Sequence, residues 1–152
     1  MKATIDKFYS LLVRLASSLQ SPFLLAIRLY WGYQFAQTGW GKLHNLERVT
    51  GFFSSLGVPA PGIMAPFIAT LEFAGGIMLA LGLFSRVIAL LETGNMISAF
   101  YLGDHDALFS AFSDPDKFYA AAPYTYLFAS LIVLIFGPGK WALDALWRKH
   151  DL

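Results

Sequence analysis

Three charged side chains, Arg28, Glu72 and Glu92, stand inside apolar stretches, and a fourth, Lys42, closes the first of them. An ionised group in hydrocarbon costs about 2.5–3.5 kcal/mol on insertion scales, so each needs a partner or a watery cavity. Such groups either pair to hold helices together or serve a ligand or a proton. Arg28 or Lys42 could orient the polar head of an amphipathic ligand, Glu72 could accept a proton, and Gln34 adds an amide. The chain has no cysteine, which excludes disulfides, thiolate catalysis, thiolate metal sites and cysteine-linked haem. No covalently bound cofactor is expected, so any redox role depends on a bound molecule or a partner. His44 and the run Asp104, His105, Asp106 are the candidate metal ligands. Consecutive residues seldom converge on one ion and no His-x-x-x-His spacing occurs, so no metal site is expected. His150 falls in a charged, solvated tail. No phosphate loop, dinucleotide fingerprint or serine-triad signature is present, and a formal charge of +1 gives no reason to expect nucleic acid.

The elements that must position these groups follow from composition. Of 152 residues, 57% are apolar and 14% charged. A helix needs about 20 mostly apolar residues to cross roughly 30 Å of hydrocarbon. The expectation is a single all-α domain over 1–152, a four-helix transmembrane bundle with spans at about 22–43, 61–84, 86–102 and 120–136. Pro22 opens the first span and Gly137-Pro138-Gly139 ends the last. Before them, residues 1–20 carry Ile5, Phe8, Leu11, Leu12, Leu15 and Leu19 at helical spacing, as an N-terminal interfacial amphipathic helix would. A cleaved signal peptide is the competing reading, against which stand Arg14 and the want of a small-residue cleavage site. Residues 139–150, with Trp141 and Trp147 among basic neighbours, suit a short C-terminal surface helix.

Lys2, Lys7, Arg14, Arg86, Lys140, Arg148 and Lys149 fall on one side of this layout, against Lys42, Arg48 and Lys117 on the other. The positive-inside rule then puts both termini in the cytoplasm, with the acidic connection 103–122 outside. Arg28 and Glu92 both lie roughly 9 Å from the cytoplasmic end, which leaves an Arg28–Glu92 ion pair geometrically open. Glu72 lies about 18 Å from that end, near the height of Gln34. Arg28, Gly32, Phe35, Gly39 and Lys42 share one helical stripe, and Glu72, Gly75 or Gly76, Leu79, Gly82 and Arg86 share another. Small residues permit close helix approach, so the two stripes can form a polar seam around a narrow cavity. Tyr30, Trp31, Tyr33 and Trp40 in the first span, and Phe109, Phe112, Phe118, Tyr119, Tyr124 and Tyr126 around the outer connection, could stack on a ring-shaped ligand such as a quinone, although belt anchoring and core packing account for them more cheaply.

The order of these features resembles the DoxX family of small four-helix membrane proteins. The resemblance rests on Arg28 with Gly32, Gly39-Trp40-Gly41-Lys42-Leu43, the wording FFSSLGVP from Phe52 to Pro59, Glu72-Phe73-Ala74-Gly75-Gly76, LALGL from Leu79 to Leu83, Arg86, and Gly137-Pro138-Gly139 leading to Asp144. It implies Arg28, Lys42, Glu72, Gly75, Gly76, Arg86 and Asp144 as characteristic positions, with Arg86 and Asp144 capping helices or pairing at the cytoplasmic surface. The stretch AAAPYTYLF lacks the acidic residue of many relatives near the start of the last span. Members of the family resemble the small subunit of a thiosulfate:quinone oxidoreductase, membrane partners of oxidative-stress enzymes, or companions of systems that modify metal-binding peptides.

The expected function is an integral subunit of a redox or oxidative-stress-linked system in the bacterial inner (cytoplasmic) membrane. Its ligand would be a quinone or another lipid-like molecule in the seam between spans one and two, held by Arg28, Gln34, Lys42 and Glu72. Gly32, Gly39, Gly75, Gly76, Arg86, Glu92, Asn95 and Asp144 would serve packing and polar support. No residue here carries electrons by itself, so a non-catalytic subunit is expected, or an oxidoreductase component acting with quinone. The alternatives are a small proton-coupled transporter or export partner, which with four spans would require a homodimer, and a membrane scaffold for a partner enzyme or second membrane subunit.

Overall fold

A computed structural model describes residues 2–147, and the side chains of residues 4–147. Arg148, Lys149 and His150, the end of the expected surface helix, lie outside the described residues. Among the described residues the fold is helical, without strands: α1 (Lys2–Leu43), α2 (Leu46–Ser55), α3 (Pro61–Leu81), α4 (Ser85–Gly103), α5 (His105–Phe109), α6 (Pro115–Ala120), α7 (Ala122–Phe136) and α8 (Leu143–Trp147). Prolines open α3, α6 and α7, where the first-turn N–H they lack has no helical partner.

Three expectations need correction. The helix over residues 1–20 is not separate from the first apolar stretch; α1 runs unbroken for 42 residues with Pro22 inside it. Proline removes only the bond to the Ser18 carbonyl, and Ser18 stands on the exposed half of the helix. Second, the long connections hold helices that the expected layout leaves out, α2 in the first and α5 and α6 in the second. Third, α3 and α4 are set farther apart than expected, with residues 82–84 between them. Gly82 (φ 74°) takes the left-handed conformation that terminates α3 at Leu81, and Phe84 (φ 48°) starts α4 at Ser85. Ala121 is extended and delays α7 to Ala122.

The second half of α1 packs along α3, α4 packs along α7, and lighter α3–α4 and α1–α7 contacts close the ring. Ile27, Phe35, Leu79, Ile88, Ala89, Met96, Ala129 and Val133 form the apolar core. Along the α1–α3 seam the backbones touch. A Cβ on Gly32 would stand 2.7 Å from the Gly76 carbonyl oxygen, and one on Gly39 would overlap the Phe73 backbone.

Around its apolar core this bundle buries several charged and polar groups while many large apolar side chains face outward. Arg28, Glu72, Glu92, Thr93 and Ser130 are buried, whereas Leu29, Ile63, Phe67, Ile77, Val87, Leu90, Ile97, Phe128 and Ile135 are exposed. An apolar solvent favours this partition, because lipid leaves an outward leucine content and no backbone or charge solvated. Two helices, Thr4–Leu43 and Pro61–Leu81, are long and apolar enough to cross a membrane; Ala122–Phe136 is apolar but shorter.

Candidate functional site

The buried charges separate into two clusters at different heights. In the first, Glu72 on α3 is only 1% exposed and fully satisfied. Lys42 Nζ, at the end of α1, donates to its Oε1 at 2.6 Å and its Oε2 at 2.7 Å. The Thr38 hydroxyl donates to Oε2 at 3.1 Å, and Asn95 Nδ2 on α4 donates to Oε1 at 3.0 Å. Asn95 also donates to Glu92 Oε2 at 3.2 Å, so one amide bridges two carboxyl groups. Glu92 is completely buried, and its Oε1 has no hydrogen-bond partner. It lies against Gly75, where an added Cβ would stand 3.1 Å from it. Lys42 keeps about a third of its side chain exposed, and Thr38 is exposed as well, so the cluster meets the surroundings through these two residues.

The second cluster ties the ends of the helices together. Arg28 does not pair with Glu92. Its Nη1 donates to the Ala80 carbonyl at 3.2 Å, and its Nη2 donates to the Trp141 carbonyl at 2.5 Å. The guanidinium thus closes the last turn of α3, where the helix dipole favours a cation, and binds the returning C-terminal segment. Glycine is required at position 82, because a Cβ there would overlap the Arg28 guanidinium. The Asp144 carboxylate accepts from the backbone N–H of Phe84 at 2.7 Å and of Ser85 at 2.8 Å, capping α4 from a distant part of the chain. Arg86 donates to the Ile135 carbonyl at 3.3 Å, in the last turn of α7.

The seam between α1 and α3 is drawn tight at Gly32, Gly39 and Gly76, where the facing backbones touch. An open cleft of about 590 Å³ lies instead on the α7 side of α1, lined by Tyr30, Trp31, Gln34, Thr125 and Tyr126. Its walls are largely aromatic, and its lining residues carry one amide, three hydroxyls and one indole N–H. The Tyr126 ring packs edge-on against the buried Phe35 ring at 4.8 Å between centroids, which fixes the α7 wall against the core.

Of the four residues expected to hold a ligand, only Gln34 lines this cleft; Lys42 and Glu72 bind each other, and the two Nη groups of Arg28 bind backbone carbonyls while its Nε is buried without a partner. Thr38 and Thr125 have no sequence signal beyond being hydroxyls in apolar runs. The carbonyl partners of Arg28 carry none at all, because every residue has a carbonyl. Among the described residues no three His, Asp or Glu side chains converge as metal ligands. His44 sits 2.9 Å from the Trp40 carbonyl, and His105 is exposed beside Asp106.

Comparison with known proteins places this geometry. The model of the DoxX family matches residues 23–105, from the packed half of α1 through α4. The inner membrane protein YqjF of Escherichia coli is 28% identical over 127 residues, covering 83% of this chain and 92% of that protein. The uncharacterized membrane protein Rv3486 of Mycobacterium tuberculosis is 29% identical over 136 residues, covering 85% and 83%. CatD of Bacillus subtilis, named as a candidate oxidoreductase, is 29% identical over 120 residues, covering 79% and 83%. No solved structure matches the chain. With the outward-facing apolar side chains of the bundle, these relatives identify a membrane protein.

Proposed function

The chain belongs to the DoxX family, and on that premise we propose that it is an integral membrane subunit of a redox-linked system that holds a quinone or similar lipid-like molecule in the α1–α7 cleft. The cleft is the observation that carries this reading. Two tyrosines and Trp31 offer faces on which a flat ring stacks, while Gln34 and Thr125 supply donors for ring oxygens. Lateral opening suits a molecule that arrives from hydrocarbon rather than water. One distant relative is named as a candidate oxidoreductase, in keeping with a redox setting. The chain itself has no group that carries electrons, so it acts beside a partner enzyme or second membrane subunit.

In this reading the chain crosses the inner membrane four times, through the second half of α1, α3, α4 and α7, with both termini cytoplasmic. The basic residues near the chain ends and at Arg86 support that orientation. The Arg28, Asp144 and Arg86 contacts then gather at the cytoplasmic face, and the Lys42–Glu72 pair lies toward the outer half. A scaffold role draws support from one further observation. The first half of α1 leaves Ile5, Phe8, Leu12, Leu15 and Leu19 exposed, a surface that a partner or the membrane face would cover.

Fluorescence quenching tests the ligand assignment. Titration of the detergent-solubilised protein with a short-chain benzoquinone analogue is expected to give saturable quenching that disappears in Trp31→Phe. Gln34→Ala is expected to weaken it about fivefold, the worth of one hydrogen bond. Quenching that never saturates, or that is the same in both variants, overturns the assignment.

A further inference from the structure

The Glu72–Glu92 cluster is one positive charge short. Two carboxyl groups, 1% and 0% exposed, share a single cation, Lys42, and the neutral amide of Asn95. The four donor contacts on Glu72 make it the ionised member. Glu92 receives one long amide contact and leaves Oε1 without a donor. Burying an unpartnered neutral oxygen is cheap beside burying an isolated carboxylate, and charge counting therefore decides the state of Glu92.

No other group on the packed elements supplies the missing charge. On α3 the facing titratable group is Glu72, and α7 carries no charged residue, only Tyr124 and Tyr126. On α1 the available cation is Lys42, already on Glu72. Arg28 is engaged by the Ala80 carbonyl, eight residues along α3 from Glu72 and so about 12 Å away. His105 and Asp106 on α5 are exposed.

We propose that Glu92 holds a proton within the bundle, so that the Lys42–Glu72–Asn95–Glu92 cluster is a proton-binding site in which Glu72 is the fixed anion and Glu92 the protonated partner. This deepens the redox reading only by giving that system a proton store; the site itself stands on the charge count and does not need a quinone. It also reverses the roles anticipated from sequence, in which Glu72 accepts the proton.

The chain has three glutamates, Glu47, Glu72 and Glu92, so labelling with side-chain ¹³C-glutamate gives three carboxyl signals. At neutral pH the wild-type protein in detergent or lipid is expected to show two ionised signals and one protonated signal. Glu92→Gln, a near-isosteric change, is expected to remove the protonated signal, and Glu47→Gln, at an exposed position, to remove an ionised one. Three ionised signals in the wild type overturn the proposal without recourse to any variant. So does loss of the protonated signal in Glu72→Gln with its retention in Glu92→Gln. Neither result bears on quinone quenching, and a failed quenching titration leaves this site untouched.

Discussion

Glu72 and Arg28 are both buried charges, but they are neutralised by different means, and each means predicts a different response to mutation. Glu72 has a formal counter-ion at 2.6 Å, whereas Arg28 is solvated by carbonyl oxygens at the end of a helix. Removing Lys42 leaves a buried carboxylate unpaired. Lys42→Ala is therefore expected to lower stability by about 2–3 kcal/mol, below the full cost of breaking a buried pair because Lys42 is partly exposed. Adding Glu72→Gln to it should recover part of that loss, and thermal unfolding in detergent would show the non-additivity. Strictly additive losses would mean that the pair does not couple. Arg28→Lys keeps the charge but loses the planar fork that reaches both α3 and the Trp141 carbonyl. It is expected to cost about 2 kcal/mol, and a melting temperature equal to wild type would contradict the clamp.

At the scale of elements, the α1–α3 seam and the caps of α4 are where single atoms matter. Gly39→Ala places a methyl group into the Phe73 backbone, while nothing lies within 4 Å of an added Cβ at Gly41. Gly39→Ala should cost more than about 2 kcal/mol, and Gly41→Ala should be neutral or slightly stabilising, since alanine is the better helix former. Equal effects at the two positions would contradict the packing. Asp144→Ala removes the acceptor for two N–H groups at the start of α4 and is expected to cost about 1–2 kcal/mol in the same assay. The sequence makes the apolar stretches, the glycine stripes and the groups near each height legible, because these follow from the rise per residue and from periodicity. It does not make the azimuth legible. Arg28 and Glu92 share a height, yet Glu92 points at Gly75 and Arg28 at the α3 terminus, and only the order of helices around the ring decides that. The α1–α7 cleft is hidden for the same reason: the glycines draw α1 against α3, and the opening lies on the other side of α1. The continuity of α1 through Pro22 is likewise hidden, since proline reads as a helix start and its single lost bond is tolerated on an exposed face.

At the scale of the whole molecule, the described residues form a helical membrane protein that buries several charged groups and turns many large apolar side chains outward. Its freedom from cysteine makes the proposed four-crossing arrangement directly testable, because single cysteines can be introduced without removing any. A cysteine at Ser54 or Ser113 is expected to react with an impermeant maleimide in intact cells, and one at Ser17 or Ala145 only after permeabilisation; the reverse pattern would invert the orientation. Photolabelling addresses the central claim most directly. A photoreactive quinone analogue, crosslinked in native membranes and mapped by mass spectrometry, is expected to mark residues 30–34 and 124–126 and to lose that labelling when unlabelled quinone competes. Adducts along the α1–α3 seam, or adducts scattered over the lipid-facing surface that do not respond to competitor, would contradict a ligand site between α1 and α7.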